Sequence, residues 1–394
     1  MSYSTVTFYP VDNGAMTLLK LNDAAQTTLL IDINIRALTT EEGQSTDYYD
    51  VGTALRQGLK RDEQNRPYVD AFLVTHNDQD HVRGFEEHFH VGPVADYREP
   101  DEGETGKILI HELWTSYRFW ERDSESSALC ADAKAVNKEM KRRVRLYQDS
   151  QTVQGVGDRA IIFCKDPDGG TDNVLGIVRE LDSVCGQING RELAAKCEIK
   201  VLAPLPRHEG EDEEQFNERN RGCVILSIRV KEGTYEDRLL MPADAEVDIW
   251  DAVWTKWKAL KSELSYDVLM TPHHTSWHSL SHDSRSQCED PKVSADARSA
   301  LSQSKAGAFI VSSSKPVKDD DEDPPCFASK EEYVKMVEKD RFLCTEEYPR
   351  EDSVDPIVIN LTGTGAQEGP RKAKARSSTA AVAATGVAFP HGST

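Results

Sequence analysis

The sequence has no apolar run approaching the roughly 20 residues that cross a bilayer as a helix, so no helical membrane span and no membrane partner are expected. It also has no Cys-x-x-Cys pair. The eight cysteines (Cys130, Cys164, Cys185, Cys197, Cys223, Cys288, Cys326 and Cys344) are irregularly spaced. In a chain this long they read as reduced thiols, not as a disulfide framework or a structural zinc module. Residues 1–14 lack a basic segment followed by an apolar one, so no secretory signal is expected and the chain reads as cytoplasmic. Positive charge is scarce: 47 basic side chains face 68 acidic ones, a formal net charge of −21. Such a field repels nucleic acid and anionic membranes at long range. A polyanionic substrate would then need a local basic patch, a metal or a partner protein. Hydrophobic residues make up only 38%, yet 394 residues are enough to bury a sizeable core.

What is present alternates between strand-like and helical stretches. Thr5–Tyr9, Met16–Leu21 and Thr27–Asp32 read as strands, the first two separated by an Asn13-Gly14 turn. Asp50–Leu59 reads as a short helix. Ala71–Thr75 is an uninterrupted apolar run, which suits a strand buried on both faces. Ser124–Gln148 reads as a helix whose Lys134, Lys138, Lys141, Arg142, Arg143 and Arg145 form either a solvated face or a polyanion contact. Further strands are expected at Cys197–Leu202, Val224–Val230, Arg238–Met241, Asp267–Met270, Ala308–Val311 and Pro356–Asn360, with helices near Glu246–Lys261 and Lys330–Lys339. Strands and helices in both halves of the chain predict an α/β fold with two sheets face to face and helices outside. The acidic runs Glu209–Glu214 and Asp319–Asp323 read as exposed loops, and residues 362–394 as a flexible tail made locally basic by Arg371, Lys372, Lys374 and Arg376.

The chemistry concentrates where apolar strands end. His76, Asp78, Asp80 and His81 fall within six residues after one such strand. Buried charges are costly unless paired or metal-bound, so four metal-competent side chains in one turn point to a metal site. Imidazole with carboxylate suits zinc, manganese or iron. Two ions roughly 3.5–4 Å apart would hold a bridging hydroxide and stabilise the entering and leaving oxygens of a displacement. Asp244, at the end of the Leu239–Met241 run, is either a ligand or a cap for the helix that follows. His273 and His274 follow another buried strand, with His278 nearby.

In this order the segments resemble a known family. His76 to His81 reads His-x-Asp-x-Asp-His and resembles the metallo-β-lactamase signature His-x-His-x-Asp-His. Phe8–Ala15, Leu30–Asp32, Asn220–Leu226, Leu240–Asp244 and Pro272–Ser276 are similar, in matching order, to blocks of one branch, the hydrolase-like domain of the bacterial competence DNA-uptake channel. The resemblance implies an αββα four-layer metallo-β-lactamase sandwich over residues 1–361, with insertions near 114–202 and 280–304. It implies two divalent metal ions, zinc or manganese, held by His76, Asp78, Asp80, His81, a bridging Asp244 and the His273–His274 pair. Of that pair His273 is favoured, because it sits closer to the strand end. Asp32 would orient the ligand loop. Asp80 and His278 are the candidate catalytic groups, His278 either protonating a leaving group or sitting on the surface, and Ser276 either bonds a phosphate oxygen or caps the turn.

The chain departs from the pattern at several points. Asp78 replaces a histidine. Ala243 and Thr275 replace glycines. Asp323-Pro324-Pro325 stands where the branch has Gly-His-Pro. The superfamily's middle histidine has no clear match, His111 being the best candidate. The expected function is a metal-dependent phosphodiesterase or nuclease acting on nucleic acid, as an effector in a bacterial multi-protein defence system. Two alternatives stay open: a hydrolase of a small ester, lactone or nucleotide, and a partner-bound regulatory subunit with a degenerate metal site. For the latter, Trp114–Trp120 reads as core or as part of an interface.

Overall fold

Side-chain alternation builds the first sheet. In β1 (Ser4–Phe8), Ser4, Val6 and Phe8 are buried while Thr5 and Thr7 are half-buried. β2 (Thr17–Lys20) and β3 (Thr28–Ile31) follow antiparallel. β4 (Ala71–Leu73), β5 (Glu112–Ser116), β6 (Arg159–Phe163) and β7 (Val178–Arg179) then add in parallel, each beside the last. The parallel strands carry continuous apolar runs because both of their faces are covered. The computed structural model of the chain describes residues 3–39, 44, 46–101, 105–121, 129–166, 168–205 and 220–370.

The second sheet has the same plan. β8 (Val184–Cys185), β9 (Cys197–Ala203), β10 (Ile225–Glu232) and β11 (Tyr235–Met241) are antiparallel neighbours. β12 (Tyr266–Met270), β13 (Ser304–Ser312) and β14 (Phe342–Cys344) continue in parallel. The chain then returns to the first sheet, where β15 (Ile357–Thr362) pairs with β1, and β16 (Gly365–Glu368) pairs with β15. The architecture is mixed α/β.

The two sheets share one core. Val6, Phe8, Ile357 and Ile359 of the first meet Leu239, Met241, Val268 and Val311 of the second in one buried cluster. The other face of the second sheet, through Leu240, Leu269 and Ile310, packs against helices Val247–Trp257, Ala295–Leu301 and Phe327–Val334. Val247, Trp250, Val253 and Trp257 supply the buried stripe of the first of these, at helical spacing. The helix Ala131–Ser150 turns Ala133, Val136, Met140 and Val144 into the core with the first sheet. No helix of the described residues is long and apolar enough to cross a membrane.

The structure bears on several expectations. Among the described residues of 114–202, apolar runs form most of β5, all of β6 to β8 and most of β9. Residues 280–304 likewise supply Leu280, Ala297, Ala300 and Leu301 to the second core. Trp114, Tyr117 and Phe119 are core residues. The boundary after 361 moves outward, since β16 extends the first sheet to Glu368; residues 371–394, including Arg371 to Arg376, lie outside the described residues, as do Ser124 to Ser127 and Glu209 to Glu214. The cationic helix face is partly internal. Arg143 is buried, donating to Glu139 and to the carbonyls of Ile110 and Arg159, and Arg142 pairs with Glu139 and Asp158.

Candidate metal centre

Parallel strands of both sheets direct their carboxyl ends to one edge, the usual ligand position in open α/β sheets. From the first sheet come Asp32, just after β3, and the loop after β4. Asp32 accepts from Thr75 N at 2.8 Å, Thr75 Oγ1 at 2.6 Å and His81 Nδ1 at 2.8 Å. One buried carboxylate thus fixes both ends of the ligand loop. The single turn Gln79–Val82 begins at Asp78 and places His81 in the interior. Gly14 lies against it: a Cβ there would stand 2.2 Å from Asn34 Nδ2 and 2.9 Å from the Asp80 carbonyl, so only glycine permits this approach.

The second sheet contributes strained backbone. Ala243, before Asp244, has φ +50°, and His273, His274 and Thr275 have φ +48°, +51° and +69° in succession. Left-handed backbone costs roughly 1–2 kcal/mol per non-glycine residue, most for a β-branched one. Tertiary contacts hold it: Thr275 Oγ1 is bonded to the hydroxyls of Thr271 and Ser312, and His273 N donates to the Ala243 carbonyl at 3.1 Å. Consecutive strained residues of this kind mark functional segments. Their effect here is to swing His274 inward.

The side chains converge on Asp244. His81 Nε2 is 3.1 Å from Asp244 Oδ1, and His274 Nε2 is 3.2 Å from Oδ2 and 3.1 Å from Asp80 Oδ2. Asp80, His81, Asp244 and His274 offer ligand atoms all within 4.8 Å of one another and could hold a metal ion. A wider group surrounds the same Asp244 Oδ2: His76 Nε2 and His273 Nε2 each stand 3.8 Å away, and Asp78 Oδ2 is 3.8 Å from His76 Nε2.

The outer nitrogens fix which way each ring points. His81 Nδ1 donates to Asp32, His274 Nδ1 to the Ser313 carbonyl at 3.0 Å, and His76 Nδ1 to Thr75 Oγ1 at 3.0 Å. His273 Nδ1 faces Glu246 Oε1 at 3.6 Å. All four rings therefore present Nε2 to the centre. Those of His76, His81 and His274 are buried without a well-formed hydrogen bond. Orphaned buried nitrogens aimed at a carboxylate are the arrangement a cation satisfies.

Without a metal, protons do part of that work. Burial lowers the His274 pKa, but Asp244 and Asp80 outweigh it and push the imidazole up to about 10. Burial is likewise outweighed at His81, raised by Asp244 and Asp32. Asp244 is held well below the carboxylate range, its burial overcome by His274, His81 and His273. His76 is lowered by burial and by the neighbouring His81. A divalent cation would displace such protons.

The expected residues divide. Asp80, His81, Asp244 and His274 come together; His76, Asp78 and His273 form the outer group; Asp32 holds the ligand loop. The preference for His273 is corrected, since the left-handed backbone places His274 in the tight cluster and leaves His273 at the rim. Of the two readings of His278 the structure shows the surface one: its side chain is exposed and outside the cluster, so it is not placed as a leaving-group acid. Ser276 is buried and caps the following turn, accepting from His278 N at 3.2 Å. His111 lies elsewhere, stacked on Tyr68 and bonded to Asn189, with burial lowering its pKa to about 4.

Sequence reasoning missed three contributors. Thr75 relays His76 to Asp32. Ser313 orients His274, and its only signal was the Ser312-Ser313-Ser314 run after an apolar strand. Glu246, held by Asn220 Nδ2 at 2.8 Å, stands behind His273. No protein-family model matches this sequence, and no curated protein matches it either.

Proposed function

We propose that the chain is a metal-dependent hydrolase of the metallo-β-lactamase type, a four-layer αββα sandwich, acting on the phosphodiesters of nucleic acid. The observation that carries this reading is the convergence of four histidine Nε2 atoms and the Asp78 and Asp80 carboxylates around Asp244, at the carboxyl edge shared by two sheets. The shared core and the outer helices of the second sheet support the sandwich. Asp80, His81, Asp244 and His274 would hold one ion, and His76, Asp78 and His273 would hold a second beside it. A mixed nitrogen and oxygen set suits zinc or manganese.

Bound there, divalent cations would supply an activated water and offset charge developing on a phosphoryl group. The chain's own residues do the rest. Asp32, Thr75 and the Ser313 carbonyl hold the rings in one tautomer. The Asp78, Asp80 and His273 side chains are 23%, 30% and 21% exposed, so substrate approaches on their side, while His76, His81 and His274 form the dry floor. Resemblance to the DNA-uptake branch favours a nucleic-acid phosphodiester. The net charge of −21 favours a second reading, a small ester, lactone or nucleotide.

The test is a cleavage panel of single- and double-stranded DNA and RNA, a chromogenic phosphodiester, a carboxylic ester and a lactone, with zinc and with manganese. Phosphodiester cleavage lost in Asp80→Ala and Asp244→Ala supports the proposal. Activity confined to the carboxylic ester or lactone refutes the substrate class, and no activity on any member refutes the enzyme.

A further inference from the structure

Away from the metal centre, a cavity of about 370 Å³ opens between the first helix, Val51–Gly58, and the outward face of the first sheet. None of its lining residues belongs to the metal cluster. Its floor is the cross-strand pair Thr7 and Val358, which the alternation in β1 and β15 turns away from the shared core. Gly369 crosses above Val358 so closely that a Cβ would stand 3.0 Å from the Val358 carbonyl. The walls carry three phenol rings, Tyr9, Tyr49 and Tyr348, each brought from a different segment.

The lining has one charged side chain, Asp355, and no lysine, arginine or histidine. Among the described residues no cation pairs with Asp355. The Tyr348 hydroxyl donates to Glu368 at 2.7 Å, which fixes that ring. Tyr49 and Asp355 line the same cavity, and burial, then Asp355 and Asp50, raise the pKa of the Tyr49 phenol. Electron-rich faces around an unpaired carboxylate attract a cation with apolar substituents, and ring faces favour alkylammonium groups. The volume is in the range of small-molecule pockets.

We infer that this cavity is a binding site for a small alkylammonium cation, with Tyr9, Tyr49 and Tyr348 as the box and Asp355 as the counter-charge. The chemistry is independent of the hydrolase reading. The same group has two sources, a free amine or a basic side chain of this chain. Arg371, Lys372, Lys374 and Arg376 follow Pro370, a wall residue, in sequence.

The experiment is calorimetric titration of the full chain with choline and with its neutral carbon isostere, 3,3-dimethyl-1-butanol. Both titrations are repeated in a full-length variant carrying Arg371→Gln, Lys372→Gln, Lys374→Gln and Arg376→Gln. Choline binding in both proteins assigns the site to a free amine, and binding only in the variant assigns it to the chain's own cations. Both results support the inference, provided the isostere binds roughly tenfold more weakly or worse. Asp355→Asn and Tyr49→Leu should each weaken choline by roughly fivefold or more, with unchanged unfolding midpoints. Equal binding of the isostere, indifference to both substitutions, or no choline binding in either protein at roughly 10 mM overturns it.

Discussion

Replacing Asp32 with asparagine should weaken metal binding without touching a ligand atom. The carboxylate is fully buried and accepts three hydrogen bonds, from Thr75 N, Thr75 Oγ1 and His81 Nδ1. An amide has one acceptor oxygen. If that oxygen stays on Thr75 N, the amide nitrogen takes the place of Oδ2, 2.8 Å from His81 Nδ1. Two N–H groups then face each other. The imidazole escapes by moving its proton to Nε2, where Asp244 Oδ1 lies 3.1 Å away, and the lone pair is lost to the centre. Outer partners of this kind are worth about 10- to 100-fold in metal affinity, or about 1.4–2.7 kcal/mol. The metal-free protein should also lose about 1.5–3 kcal/mol, the worth of a hydrogen bond to a charged group. The assay is zinc and manganese competition against a chromophoric chelator, beside urea unfolding of the stripped protein. Asp70→Asn is the control. Asp70 is an equally buried carboxylate paired with Lys60 and Arg191, so its loss should lower stability and leave metal affinity unchanged. Equal affinity of wild type and Asp32→Asn, within about threefold, would refute the reasoning.

Two further substitutions report on charge buried elsewhere. Burial, and then the neighbouring Asp267, push the Asp237 carboxyl up to about 7, and neither of its oxygens has a hydrogen-bond partner. Its folded pKa is raised, so the native state binds more protons between about pH 4 and 7, and stability falls as pH rises through that window. The loss is at most about 4 kcal/mol, and Asp237→Asn should remove it, giving a higher urea midpoint than wild type at about pH 8 but not at about pH 4. Glu139→Gln strips the fully buried Arg143 of its paired carboxylate and should cost about 3–5 kcal/mol in urea unfolding, with metal affinity unchanged.

The candidate ligand loop was legible because His76 to His81 puts four ligand-type side chains directly after a buried strand. Asp244 was legible for the same reason, although a capping role was equally compatible with its position. What could not be read was direction. His273 and His274 are adjacent and alike, and only the left-handed backbone decides which one enters the cluster. Short-range pattern also placed most strands within one or two residues, as at Cys197–Ala203 and Tyr266–Met270. Sheet membership is a long-range property, so Arg159–Phe163 was lost inside a supposed insertion, although it pairs along its length with β5. Glu246 and Ser313 reach the centre from helix and loop starts, where sequence spacing carries no signal of proximity.

The most direct test of the central claim is the number of metal ions bound per chain. Protein stripped with chelator is titrated with zinc and with manganese and weighed by native mass spectrometry, in wild type and in Asp244→Asn. The account predicts two ions in the wild type and at most one, more weakly held, in the variant. Wild type that takes up no divalent metal, or Asp244→Asn that binds as many ions as tightly, would contradict it.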